Sequence, residues 1–443
     1  MRRAWLLLAL FSTGLAAEPV SLAQAWQTLD SQGSLLLAER QASERALAAR
    51  EAANAAAHPN LSLGSSYIYQ EKPWSLDAAS LAPDLIPPGL LPPIDITERA
   101  IYRTSLTGSW PIYAGGRIQA AQQVKQAEYE AQLQQLEIRR REQFNLLVER
   151  YYGVLLAQRN ADLRGQQVTA RETHYRHAQL LAEQGQIAEV ERLNAQVALD
   201  RARVAARAAD NQASIAAKGL DSLLQQNALE PVPYRAAALE VPPLSPLREQ
   251  MLAGHPALAL FDAKQRQAQQ SAKGEKGRYL PTMGLFGSYT LAEDDSLLSE
   301  IEPEWFVGVR VTVPIFTNDG RSGRLKAARS AELEARHRRN QAQQDLLLLL
   351  EAQHQALEQA AFEYQTYDST IALAEENRRL RQVAFQQGLA TSVELVDADQ
   401  SLVAAQLGQA QAQYQYLRAL AQVMTLGGEM ERMFAWLKRE SAQ

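Results

Sequence analysis

The chain carries one plan twice. Trp110-Pro111-Ile112-Tyr113-Ala114-Gly115-Gly116-Arg117 is matched by Val313-Pro314-Ile315-Phe316-Thr317-Asn318-Asp319-Gly320-Arg321. In both copies an alternating, strand-like run meets a proline, an aliphatic–aromatic pair, a short flexible turn and Gly-Arg. A long segment of alanine and polar residues with helical spacing follows. Proline cannot donate to a sheet ladder and belongs at a strand end, and glycine permits the reversal that Cβ-bearing residues resist. Each copy reads as a strand-to-helix junction. At one constant offset Pro111 aligns with Pro314, Gly185 with Gly388, and Val190-Glu191 with Val393-Glu394. An internal repeat decides the architecture before any local reading does. The first repeat is expected over 18–226, a proline-rich linker over 227–246, the second repeat over 247–428 and a tail over 429–443.

Ser21 is placed to cap a helix whose face is Leu22, Ala25, Trp26 and Leu29, running on until His58-Pro59 stops it. Strands are expected over 61–70 and 101–112. The Pro73–Pro93 stretch between them is too rich in proline for regular structure. From Arg117 to Gly185 no proline occurs, and one helix of that length spans on the order of 100 Å. Phe144, Val148, Tyr151 and Leu155 keep the spacing of a coiled-coil seam. Gly185 breaks the helix, and a return helix completes a hairpin over 117–224. The second half repeats this plan. A helix from Leu247 is interrupted at Pro256 and ended by Pro281. Strands are expected over 283–291 and 305–315, and a hairpin over 321–427 turns at Gly388.

The formal net charge of -5 and the lack of a basic face argue against nucleic-acid binding. With no cysteine there is no disulfide, thiolate metal site or lipidated N-terminal Cys. Residues 1–17, with Arg2-Arg3, the apolar run Ala4–Phe11 and Ala16-Ala17, read as a signal peptide, so the protein is expected to be exported. No later stretch has the roughly 20 apolar residues of a membrane helix. Any membrane contact therefore falls to the strands, whose length suits a tilted crossing. In the last strand Trp305, Val307, Val309, Val311 and Val313 share one face, and Phe306, Gly308, Arg310 and Thr312 the other. Four strands cannot close a membrane barrel, since the smallest have about eight. Several chains must then share one; the alternative on these features alone is a soluble four-stranded sheet, since such alternating strands also occur in periplasmic proteins. The fold class is mainly α with a membrane β-barrel part, built from duplicated strand pairs and long coiled-coil hairpins.

The duplication, the two Pro-Ile-aromatic…Gly-Arg junctions and Val393-Glu394-Leu395-Val396-Asp397-Ala398 resemble the TolC-type outer-membrane efflux proteins across about residues 18–430. The resemblance implies a homotrimer whose twelve-stranded barrel in outer-membrane lipid is continuous with a periplasmic α-helical tunnel. It implies a passive exit duct of a tripartite efflux pump or type I secretion system, gated at the periplasmic helical tip. An adaptor (membrane fusion) protein and an inner-membrane pump are the implied partners. A periplasmic adaptor or a structural coiled-coil protein is the rival reading, but it leaves the paired hairpins and junctions unexplained.

The family's pattern also assigns residues. Gly185, Gln186, Ile187 and Ala188, with Gly388, Leu389, Ala390 and Thr391, match the adaptor-docking tips. Glu394 and Asp397 match the acids that constrict the periplasmic aperture, where rings of like charge select cations; Glu191 and Asn194 are their first-repeat counterparts. Pro111, Gly116, Arg117, Pro314, Gly320 and Arg321 form the barrel-to-helix junctions. The family's closing Tyr and Arg are here Phe385 and Ala390, so that lock is missing, and Arg192 beside Glu191 is the candidate replacement. Glu172, His174 and His177 share a helix side but lack further ligands, and read as a surface polar cluster. No metal, cofactor or catalytic residue is expected, and the chain does not read as an enzyme.

Overall fold

The computed structural model describes residues 18–77, 80, 84, 85, 87, 90–233, 239–294 and 296–440. The expected signal peptide lies outside the described residues. Ser21 opens helix α1 (Leu22–Gln32) with a capping box, accepting from the Gln24 N–H while the Gln24 side chain bonds back to the cap. Leu22, Ala25, Trp26 and Leu29 are buried, as their spacing requires. The helix expected to continue to His58 is divided at Gly33, where a Cβ would stand 2.5 Å from the Leu29 carbonyl oxygen. Helix α2 (Ser34–Ala55) then runs to Ala55.

Two short ladders were not anticipated. Strand β1 (Glu18–Val20) pairs in parallel with a later strand, Leu229–Pro231. After β2 (Asn60–Tyr69), the ends of the proline-rich loop are drawn together as β3 (Ser75–Leu76) and β4 (Ile94–Asp95). The expectation of no regular structure between Pro73 and Pro93 is thus corrected at its start, while much of the loop lies outside the described residues.

Strand β5 (Ala100–Tyr113) leads through the first junction into α3 (Arg117–Glu183), which α4 (Glu189–Leu224) follows. Next come β6 (Leu229–Pro231), α5 (Leu244–Gly254), α6 (Pro256–Gly277) and β7 (Thr282–Glu293). The chain closes with α7 (Leu297–Ile301), β8 (Trp305–Thr312), α8 (Arg321–Gln386), α9 (Ser392–Gly427) and α10 (Met430–Glu440). The expected tail is therefore largely helix, and Met433 and Leu437 are buried in it.

The strand pairs of the two halves make one antiparallel sheet in the order β2-β5-β7-β8. Its pleat sorts side chains by chemistry. Leu63, Leu106, Tyr289 and Trp305 form one row across all four strands, while Ser62, Thr107, Ser288 and Phe306 form the adjacent row on the opposite face. The two prolines sit differently from each other. Pro111 lies inside β5, at a register shift between Pro111 and Tyr113 that absorbs its missing donor. The last strand stops at Thr312, short of the expected Ile315, before Pro314 is reached.

The junction turns differ as well. Gly115 and Gly116 have φ of 64° and 77°, whereas the second junction has Gly320 at 67°. Arg117 donates to the Ala114 carbonyl at 3.2 Å, and Arg321 lies 4.6 Å from the Tyr279 ring centroid. A Cβ at Gly115 would collide with the Gly277 carbonyl oxygen.

Contacts divide the chain into two compact units. Of the described residues, one takes in 18–42, Leu133–Ala259 and 339–440; the other takes in Ser43–Gln132 and Leu260–Arg338. Each draws on both halves of the sequence. In the first unit Phe144 is fully buried between Trp26 and Phe434, with ring centroids 5.2 and 5.7 Å away. Two seam residues further on, Tyr151 donates to the Val20 carbonyl at 2.7 Å and accepts from the Val232 N–H at 2.9 Å. Its hydroxyl secures the β1–β6 ladder, and burial pushes its pKa up to about 12.

Gly115→Ala should lower the thermal midpoint of the detergent-solubilised protein more than Gly116→Ala. Both force a left-handed backbone, costing about 1–2 kcal/mol, but nothing lies within 4 Å of a Cβ at Gly116. Equal losses would show that the Gly115–Gly277 approach carries no weight.

Candidate functional site at the hairpin turns

The two hairpins reverse by the same device. Gly185 and Gly388 adopt φ of 68° and 71°. The residue after each closes the turn onto a carbonyl five positions back: Gln186 N–H to Leu181 at 2.8 Å, and Leu389 N–H to Ala384 at 2.8 Å. This is the glycine-terminated helix end in which the left-handed residue satisfies otherwise unpaired carbonyls.

The return helices start unequally. Helix α9 has a capping box, in which Thr391 accepts from the Glu394 N–H and Glu394 accepts from the Thr391 N–H at 2.9 Å. Helix α4 has Ala188 at its cap position and no side-chain cap bond. Its Glu191 instead accepts from the Ser392 N–H at 2.8 Å. The first-repeat acid therefore caps the second hairpin's return helix, a favourable place for an anion.

Ser392 is the meeting point. It is fully buried, and its Oγ lies 2.6 Å from His174 Nε2. The His174 ring packs edge-on to Phe385, centroids 4.5 Å apart. Ala178, Ala195, Phe385 and Leu395 form a small buried core here, with Tyr175, Leu181, Ile187 and Ala390 against it. Phe385 and Ala390, which carry neither hydroxyl nor charge, contribute to this region by packing.

Beside the apolar core lies a buried charge cluster. The Arg171 side chain is 5% exposed and sits 3.0 Å from Asp399, and Arg378 reaches the other Asp399 oxygen at 3.1 Å. Arg171 also donates to the Val396 carbonyl at 2.7 Å. Removing one partner of such a pair costs about 3–5 kcal/mol, because the other charge stays buried.

The sequence-derived residues fall into three groups. Glu394 is engaged within its own hairpin, by the capping box and by Arg381 at 3.2 Å. Asp397 is exposed, makes no ion pair among the described residues, and shares a cleft with Asn194, Arg164 and Arg201. Glu191 belongs to the Ser392 contact instead. Two expectations are corrected. Arg192 pairs with Glu189 at 2.5 Å and donates to the Tyr175 hydroxyl at 3.3 Å, leaving Glu191 alone. Glu172 pairs with Arg203 at 2.8 Å, while His174 points into the buried core, so the three residues do not form one surface cluster. No metal-binding group of three or more such side chains occurs among the described residues.

Arg171, Arg378, Ser392 and Asp399 escaped the sequence reading, and His174 was read as a surface residue. A signal existed: Leu163, Gln167, Arg171, His174 and Ala178 are all buried along one face of α3. Polar residues on a seam demand partners, although the seam does not say which.

Burial, reinforced by Arg171 and His177, pushes His174 down to about 4 from 6.5. The unfolded chain thus binds a proton that the folded state resists, so this residue's stability is complete above pH 6.5 and is lost as pH falls towards about 4. Thermal midpoints against pH should fall in that window for the wild type. His174→Gln should lack that component, and identical slopes would remove His174 as its source.

With this geometry in view, the comparisons become specific. The family model described as outer membrane efflux protein matches residues 27–225 and 247–429. A solved structure of a membrane protein from Pseudomonas aeruginosa superposes with a TM-score of 0.79 at 16% identity, over 92% of this chain and 90% of that one. The Campylobacter jejuni CmeC outer membrane channel gives 0.78 at 15%, over 95% and 89%. The open state of the Neisseria gonorrhoeae MtrE outer membrane channel gives 0.76 at 17%, over 92% and 89%. No curated protein matches significantly. At these identities the structures speak for the fold, and the family model, covering most of the chain in two segments, identifies it. The chain belongs to the outer membrane efflux protein family.

Proposed function

We propose that three copies of this chain form the outer-membrane exit duct of a tripartite efflux pump or type I secretion system. The observation that carries the reading is the open four-stranded sheet. One face bears rows such as Leu63, Leu106, Tyr289 and Trp305, and both edge strands, β2 and β8, have no outer neighbour among the described residues. In hydrocarbon every strand edge must be paired, so β8 of one copy would take β2 of the next. Trimeric closure into twelve strands comes from the family resemblance. The hairpins would line a periplasmic tunnel, and transport would be passive.

The helical turns would close the duct, and Gly185–Ala188 and Gly388–Thr391 would receive a periplasmic adaptor coupled to an inner-membrane pump. The contacts on Ser392 and Asp399 tie the two hairpins together, which suits a closed state opened by docking. Export by the 1–17 leader, without lipidation, accords with this location. So does a two-repeat organisation over 18–226 and 247–428.

Extracted in mild detergent, the protein should have a native mass of three chains and conduct ions in planar bilayers. A detergent-independent soluble monomer would refute the duct.

Asp397 would carry the larger share of any acidic aperture ring, since Glu394 is held by Arg381 and its cap. Block of single channels by a trivalent cation should weaken about tenfold in Asp397→Ala, less in Glu394→Ala, and vanish in the double variant. Unchanged block in the double variant removes the aperture assignment.

A further inference from the structure

On the polar face of the sheet, two arginines are treated in opposite ways. Arg103 is neutralised by Glu293 at 3.0 Å and by Glu302 in a still closer pair. Arg310 has no acid at ion-pair distance among the described residues. Its guanidinium instead lies 4.6 Å from the centroid of the Phe286 ring.

The sheet accommodates this stack. Phe286 lies opposite Gly308, where a Cβ would stand 2.9 Å from the ring. The edge of Phe306 braces it from the other side, with centroids 6.1 Å apart. Along the same row the neighbours of Phe286 are Asn60, Ser109 and Gly308, so the ring stands on a polar surface and not within an apolar core. Arg310 itself is exposed.

A guanidinium has two flat faces and an edge of donors. Phe286 lies against the guanidinium, and the rest of the exposed side chain is open to a second partner. A planar aromatic ring can stack on the free face, and a carboxylate or sulfonate on that ring can accept two hydrogen bonds from the edge. The strand expected to pair beside it in an assembly offers no counter-ion. The β2 strand that would pair with β8, NLSLGSSYIY, contains no acid.

We propose that Arg310, seated on Phe286, is a binding site for planar aromatic anions on the wall of the duct. This rests on reading the polar face as the inside of the barrel. A phenyl ring over a glycine also stabilises a sheet by packing alone, and the test separates that role from binding.

The full-length protein in planar bilayers is exposed, from each side in turn, to naphthalenesulfonate and to cyclohexanesulfonate. The flat probe should block at a concentration about fivefold lower, the equivalent of one cation–π contact. Arg310→Gln should remove most of the block by both probes. Arg310→Lys keeps the charge without the flat guanidinium, and should retain block while losing the preference for the aromatic probe. Equal block by the two probes in the wild type, or wild-type block in Arg310→Gln, overturns the site while leaving the conducting duct intact. A wild type that conducts no ions overturns the duct reading, and this inference with it.

Discussion

An unpaired strand edge is tolerable in water and prohibitive in hydrocarbon, where each bare N–H and C=O group costs several kcal/mol. That asymmetry organises this molecule. The sheet ends at β2 on one side and β8 on the other, with leucine, tyrosine, valine and tryptophan along one face. With four such strands among the described residues, the proposed duct would commit the chain's stability in a membrane to copies of itself. Oligomerisation would then be a condition of the sheet's existence there, and the interface would be main-chain hydrogen bonding before side-chain recognition.

Much of this was legible from spacing. The helix over Ser392–Gly427 starts at a capping threonine and stops at Gly428, whereas the one over Glu189–Leu224 has no side-chain cap and ends on a left-handed Gln225. The seam residues Phe144, Val148 and Tyr151 are buried as their period demands. Strand positions followed from alternation, because a period of two sends every second side chain to the same face. Boundaries were less legible. Pro111 sits within its strand because a register shift excuses its missing donor, and a sequence pattern does not record bulges.

The hairpin turns show where such reading ends. Ser392, His174 and Asp399 matter through partners about two hundred residues away, and no local pattern encodes which residues meet across a fold. Glu191 illustrates the difference. Motif matching marked it as an aperture acid, yet its oxygen spends itself on the backbone N–H of Ser392. Position in a motif and employment in a structure are separate facts. Phe385 and Ala390 likewise join one buried cluster that their positions in the sequence do not announce.

The centre of the sheet has a consequence for how the chain acquires its shape. The pairing of β5 with β7 joins Arg103–Tyr113 to Met283–Glu293, so the two halves share one ladder in place of owning one each. The first strand pair must wait, with its inner edge bare, until the second has been made. Pairing over such a separation carries a large loop-closure entropy and is slow. An exported chain of this design passes through a vulnerable interval in which half a sheet is exposed, and sticking to strangers competes with finding its own other half.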